Sequence, residues 1–206
     1  MTAWMNLGQH IKLNAKKYPD TVALKDAERS FTYPELNHRV NQLAHSLIRR
    51  GLEKGDKVAV LLENSIEIVE VYLATAKIGL VIVPINFRLV SGEVEYIANN
   101  SDARVIIVHD EFTPVVDSIR TQLTKIDINN YIAVGSSVNG YENYEDIIAN
   151  ESANEPDIQV APDDTWILIY TSGTTGKPKG VVRSHASHIA FYLINGIDFG
   201  FNHNYI

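Results

Sequence analysis

Cysteine is absent from the 206-residue sequence, which excludes disulfides, thiolate metal centres and cysteine nucleophiles. No apolar run approaches the ~18 residues that a membrane-spanning helix needs. The opening segment from Met1 to Asn6 lacks a basic stretch followed by an apolar core, so no secretory signal is predicted. Internal repeats and low-complexity tracts are missing as well. Positive charge is in deficit: 18 Lys and Arg stand against 25 Asp and Glu, a net charge of -7. That balance argues against a nucleic-acid binder, whose affinity comes from many basic contacts to phosphates. It leaves room for one local phosphate site. The expectation is a soluble, cytoplasmic protein.

What is present is ordinary globular composition, 45% apolar and 21% charged, in a length that suits one large domain or two small ones. Thr21 to Leu24 and Ser30 to Tyr33 flank a polar turn and predict a hairpin. Pro34 opens a helix through Leu36, Val40, Leu43, Leu47 and Ile48, with Gly51 as its closing cap. Lys57–Leu62 is a short apolar run of the kind buried in parallel sheets. Ser65 caps a second helix to Ile78, with Glu67 and Glu70 near its start and Lys77 near its end, an order that suits the helix dipole. Val81–Val83 and Arg104–Val108 are predicted strands, separated by a helix that begins at Ser91. Thr113 and Pro114 start a helix toward Lys125, and Tyr131–Val134 is a further strand. Residues 151–164, with Pro156 and Pro162, read as a connector, and Thr165–Tyr170 is the last buried strand. This alternation predicts an α/β fold with a mostly parallel sheet flanked by helices, in which Lys57–Leu62, Val81–Val83 and Arg104–Val108 are mainly parallel neighbours.

Directly after that last strand, Thr171 to Gly180 (Thr-Ser-Gly-Thr-Thr-Gly-Lys-Pro-Lys-Gly) packs four hydroxyls, three glycines and two lysines into ten residues. Glycines let the backbone approach a ligand and expose amide donors; hydroxyls and ammonium groups complete a cradle for phosphate oxygens. A position after a buried strand is where open α/β sheets bind ligands. The segment is not a Walker loop, because Thr171 and Pro178 occupy the places of its first Gly and its Ser/Thr. Residues 172–179 are expected to form an irregular, mobile loop. The alternative is a polar surface loop that binds nothing.

Thr171 to Gly180, with Val181, Val182, Ser184 and His185 following, resembles the phosphate loop of the adenylate-forming (AMP-binding) superfamily. That group includes acyl-CoA synthetases, peptide-synthetase adenylation domains and beetle luciferases. Phe31-Thr32-Tyr33-Pro34-Glu35-Leu36 resembles an early signature of the same family. So does the stretch from Ala74 to Gly79 through Val83-Pro84-Ile85-Asn86, Arg88 and Leu89. The resemblance implies the N-terminal portion of an ATP-dependent acyl-CoA synthetase, similar to fatty-acid–CoA ligases. Such enzymes join a carboxylic acid to the α-phosphate of ATP, release pyrophosphate, and pass the acyl group to coenzyme A. It further implies that Thr171, Ser172, Gly173, Thr174, Thr175, Gly176, Lys177 and Lys179 bind ATP. Lys179 matches the family's phosphate-contacting lysine, Lys177 a variable position, Thr174 and Thr175 hydroxyl donors, and Thr171 a position that helps hold Mg2+. The later family motifs beside adenine and ribose, the hinge and the C-terminal catalytic lysine have no counterpart in these residues. The expectation is therefore a chain with no catalytic residue of its own and no C-terminal domain. It would comprise an α/β unit at about 1–150, a connector at 151–164, and strand, phosphate loop and helix at 165–206. Alternatives are a peptide-synthetase or carrier-loading adenylation domain and a non-catalytic α/β binding module. A homodimer stays open.

Other residues have plainer expected roles. His185 and His188 sit at i, i+3 of a helix without a third ligand, so capping or a hydrogen bond is expected at His185 rather than a metal. Glu67 and Glu70 are read as helix-start charges rather than a carboxylate pair. Tyr141 and Tyr144 are read as part of a surface loop, not a nucleic-acid stacking platform. Ile189, Phe191, Tyr192, Leu193 and Ile197 are expected in a helix core; the resemblance leaves a small contribution to an acyl pocket open.

Overall fold

The computed structural model describes residues 6–171 and 176–200. A first helix, α1 (Leu7–Lys17), starts where the Asn6 side chain accepts from the Gly8 amide at 2.8 Å. Strands β1 (Val22–Lys25) and β2 (Ser30–Thr32) form a separate antiparallel hairpin. Thr32 and Glu35 make a reciprocal capping box that begins α2 (Tyr33–Arg49), and Gly51, at φ +77, turns the chain out of it. Then come β3 (Lys57–Leu61), α3 (Ile66–Ile78), β4 (Val81–Pro84), α4 (Ser91–Asn100) and β5 (Ala103–His109). They are followed by α5 (Thr113–Asp117), β6 (Tyr131–Val134), β7 (Glu142–Asn143) and α6 (Tyr144–Ala149). Strands β8 (Thr165–Thr171) and β9 (Lys179–Ser184) precede the last helix, α7 (His185–Asp198).

Seven of the strands form one sheet in the order β7-β6-β5-β3-β4-β8-β9. Neighbours are parallel except β8 and β9, which run antiparallel. The expected parallel trio is present, with β3 lying between β4 and β5. Alternate residues of β3 face opposite sides, as a period of two requires. Val58 and Val60 pack with Leu43 and Leu47 of α2 and Val71 of α3, whereas Ala59 and Leu61 pack with Val94 and Ile97 of α4 and Val116 of α5. Each large side chain so buried contributes roughly 1.5–3 kcal/mol of transfer free energy, so α2 and α4 clamp the sheet from its two faces.

Polar groups buried between the helices are paired. Lys77, its side chain 2% exposed, donates to Asn37 and Asn41 of α2 at 2.8 and 2.7 Å and to Glu155 at 2.7 Å. Burial pulls the Lys77 ammonium below its usual range, against the pull of Glu155. Burial acts upward on Glu155, but Lys77, Asn37 and Asn41 together hold its carboxyl low. Three oxygens around one nitrogen are the surroundings of a charged ammonium, and we take the pair as ionised. The contact ties segment 151–164 onto α2 and α3, so the connector is packed structure. Gly8 lies so close to α3 that a Cβ there would come within 2.6 Å of the Lys77 backbone, which leaves glycine as the residue that allows this helix crossing.

The structure corrects several expectations. Glu67 and Glu70 do more than favour a helix start: Arg29 of the hairpin bonds Glu67 at 2.6 Å, and Glu70, fully buried, accepts from Arg39 of α2 and from the Tyr144 hydroxyl at 2.8 Å. Burial raises the Glu70 carboxyl despite Arg39. Tyr144 is accordingly a buried core residue at the start of α6, not part of a surface loop. The helix expected from Thr113 toward Lys125 ends at Asp117 and continues as a 3-10 turn at Arg120–Gln122. There the Ser118 hydroxyl bonds the Val115 carbonyl at 2.7 Å, the local competition that disfavours a continuing helix. Of the apolar residues on α7, Ile189 is buried, but Phe191, Tyr192, Leu193 and Ile197 are 46–79% exposed and do not form a core. No helix among the described residues is long and apolar enough to cross a membrane.

Candidate phosphate-binding site

Strand β8 is an apolar run buried near its amino end, at Trp166 and Ile167, and it delivers Thr171 at its carboxyl end, exposed. Because β8 is parallel to β4, and β4 to β3, this end lies on the side where the carboxyl ends of the parallel strands gather. Ligands of open α/β sheets sit on that side. Ser172, Gly173, Thr174 and Thr175 fall outside the described residues. The chain is described again at Gly176, whose φ of +100 is a backbone conformation that favours glycine. It passes Lys177 and Pro178 without regular structure and enters β9 at Lys179. Lys179 thus belongs to a strand and not to the irregular, mobile loop expected at 172–179, of which residues 172–175 lie outside the described residues. Sequence reasoning missed β9 because Lys179-Gly180 reads as loop, although Val181 and Val182 are a β-favouring pair.

The β8–β9 ladder decides which candidate residues meet. Thr171 and Lys179 are directly paired, so the two ends of the loop are held at one rung with both residues exposed. Gly180, opposite Tyr170, has no room for a side chain: a Cβ would stand 2.9 Å from Leu168 Cδ1 and 3.2 Å from Tyr170 Cζ. Lys177 points elsewhere, with its ammonium 5.4 Å from the centre of the Tyr96 ring on α4. The Tyr170 hydroxyl donates to Asn100 Oδ1 at 2.8 Å, and burial followed by the neighbouring Tyr96 raises its pKa. The structure therefore brings Thr171 and Lys179 together and sets Lys177 apart from them.

Chemically, this frame presents a hydroxyl and an ammonium at the mouth of a strand end, a pairing suited to an oxyanion such as a phosphate. No cluster of three or more His, Asp or Glu that could hold a metal occurs among the described residues. His185, as expected, serves as a hydrogen-bond partner: its Nδ1 accepts from the Leu7 amide at 3.2 Å and caps the start of α1. His188 stands edge-on between the rings of Trp166 and Tyr192. Other depressions are present among the described residues. One, between Asp26, Arg29, Glu67, His109 and Glu145, is predominantly acidic and mismatched to phosphate. Another, between Lys54, Lys57, Asp164 and Thr165, opens at the amino ends of β3 and β8, the wrong side of a parallel sheet for its ligand.

The family of AMP-binding enzymes matches residues 11–204. A long-chain-fatty-acid–CoA ligase of Mycobacterium tuberculosis is 35% identical over 185 residues, covering 88% of this chain and 35% of that protein. A fatty acid–[acyl-carrier-protein] ligase, ScoC, of Streptomyces coeruleorubidus is 36% identical over 185 residues, covering 89% of this chain and 34% of its own length. Among solved structures, the anthranilate CoA ligase AuaEII in complex with anthranoyl-AMP superposes with a TM-score of 0.89 at 29% identity, over 96% of this chain and 39% of that one. The chain spans about a third of the length of the curated relatives it matches. With the family's model matched over residues 11–204 and relatives 35–36% identical over nearly nine-tenths of these residues, the chain belongs to the AMP-binding enzyme family.

Proposed function

We propose that this chain is the N-terminal part of the AMP-binding domain of an acyl-CoA synthetase. It would supply the phosphate cradle for a reaction in which a carboxylic acid attacks the α-phosphate of ATP. The P–O bond to pyrophosphate breaks, an acyl-adenylate forms, and the thiol of coenzyme A then displaces AMP to give the thioester. The observation that carries the reading is the pairing of Thr171 with Lys179 at the carboxyl end of β8. Negative charge accumulates on the departing pyrophosphate, and donors fixed there in advance favour that transition state. In this reading Lys179 supplies the charged contact. The backbone of Gly173 and Gly176 and the hydroxyls of Ser172, Thr174 and Thr175 supply further donors.

Mg2+ would be held mainly by the phosphates of ATP. The donors present suit that role, because the exposed Thr171 hydroxyl is one hard oxygen ligand and Mg2+ keeps most of its shell as water and phosphate. When bound, the ion neutralises phosphate charge. ATP and coenzyme A, as co-substrates of the cell interior, support placement in the cytoplasm. A carrier-protein thiol as the acceptor is the second reading, favoured by the similarity to ScoC. An active enzyme carrying these residues, given ATP, Mg2+ and a panel of carboxylic acids, should exchange labelled pyrophosphate into ATP. Coenzyme A and a carrier protein offered separately then identify the acceptor. Absence of exchange with every acid would leave a non-catalytic binding module.

A further inference from the structure

Tyr96 and Asn100 stand four residues apart on α4, so they share one helix face, a turn apart. Each reaches a different side of the loop. Asn100 Oδ1 accepts from the hydroxyl of Tyr170, the residue before Thr171, at 2.8 Å, and the Tyr96 ring carries the Lys177 ammonium at 5.4 Å. The incoming and outgoing limbs of the segment are therefore tied to a single rigid element by contacts that involve neither Thr171 nor Lys179. We infer that Tyr96 and Asn100 are positioning residues that hold the phosphate loop's two limbs against α4, with Lys177 acting as an anchor on the Tyr96 ring rather than as a phosphate ligand.

The physical logic is preorganisation. A glycine-rich segment between two strand ends has high conformational entropy, and an unanchored cradle must be ordered by its ligand at a cost in affinity. Gly176 is in the left-handed region, and among the described residues nothing stands within 4 Å of a would-be Cβ. The neighbouring Lys177 contact is what restrains that limb. On the other side Gly180 packs against Leu168 and Tyr170, so fixing the Tyr170 hydroxyl also fixes the wall on which β9 begins. The assignment explains why two lysines so close in sequence face different partners.

The inference rests on the phosphate reading of the loop, and its test separates the two. Amide hydrogen exchange is read on this chain at Thr171, Gly176 and Lys177, with and without magnesium pyrophosphate, for wild type and for Tyr96→Leu, Tyr96→Phe, Asn100→Ala and Lys177→Gln. Loss of an exposed cation–ring contact should raise exchange roughly two- to fivefold at Gly176 and Lys177 in Tyr96→Leu and Lys177→Gln. Tyr96→Phe, which keeps the ring face, should restore wild-type exchange there. Asn100→Ala should act mainly on Thr171. Pyrophosphate affinity should fall by a similar factor in Tyr96→Leu and return in Tyr96→Phe. Lys177→Gln alters one exposed end and keeps the assay informative if Tyr96→Leu does not fold. Unchanged exchange in Lys177→Gln and Asn100→Ala, or a rise in Tyr96→Phe equal to that in Tyr96→Leu, overturns the anchoring. If pyrophosphate leaves wild-type exchange unaltered, the phosphate reading falls, while the ligand-free exchange still decides the anchoring.

Discussion

Lys179 and Lys177 are separated by one proline and have separate surroundings. Lys179 opens β9, exposed beside Thr171, while Lys177 lies over Tyr96. In an active enzyme carrying this chain, Lys179→Ala should reduce adenylate formation by roughly one to two decades. That is the kinetic equivalent of about 1.5–3 kcal/mol for one charge-assisted phosphate contact. Lys177→Ala should cost less, because it loosens the cradle without removing a phosphate contact. Steady-state adenylation kinetics on the two variants, beside their melting temperatures, checks the order. A dominant Lys177 with a silent Lys179 would reverse the assignment. The composition of the site was legible in the sequence because its chemistry is local, a run of glycines, hydroxyls and lysines after an apolar strand. The separate surroundings of the two lysines were not legible in local terms, since Lys177 lies over Tyr96, some eighty residues earlier, and only the family resemblance had ranked Lys179 above it.

At the scale of elements, α1 and α7 are joined through His185, whose neutral Nδ1 accepts from the Leu7 amide. Burial pushes the imidazole down to about 4, with Lys54 and His188 acting in the same direction and Asp164 opposing. Since the folded-state pKa lies below the ordinary value of 6.5, the unfolded chain binds the proton more readily. The stabilisation is complete above about pH 6.5, is lost progressively as pH falls toward 4, and amounts to roughly 3 kcal/mol across that window. His185→Gln keeps an acceptor oxygen without the titration. Urea unfolding of this variant between pH 7 and 4.5 should therefore show a pH dependence shallower than that of wild type by ~2 kcal/mol. Equal slopes would remove His185 from the account. The helix carrying His185 was visible in the sequence; its role as a clasp on α1 was not, because its partner Leu7 stands 178 residues away in the chain.

Over the whole molecule, the 206 residues by themselves should show no acyl-CoA synthetase turnover and at most weak, Mg2+-dependent binding of ATP or pyrophosphate. By the family resemblance, the groups that hold adenine, ribose and the acyl chain, and the catalytic lysine, belong to later motifs. Binding energy at such remote groups is what positions the α-phosphate against a carboxylate. Purified chain incubated with ATP, Mg2+, coenzyme A and assorted carboxylic acids should release no pyrophosphate above background. Release at ordinary turnover would mean that the reacting groups lie within these residues. The sequence alone determined the alternation of strand and helix, the parallel core of β3, β4 and β5, and the place of the glycine-, hydroxyl- and lysine-rich segment after β8. Each follows from periodicity and short-range composition, which neighbouring residues carry by themselves. Only the tertiary structure decided that Tyr144 and Glu70 are buried together, that Glu155 returns to Lys77, and that β9 folds back on β8 to set Thr171 beside Lys179. Those pairings join distant or turn-reversed segments, and a polar residue's partner is chosen by the packing of the elements that carry it rather than by its neighbours in the chain.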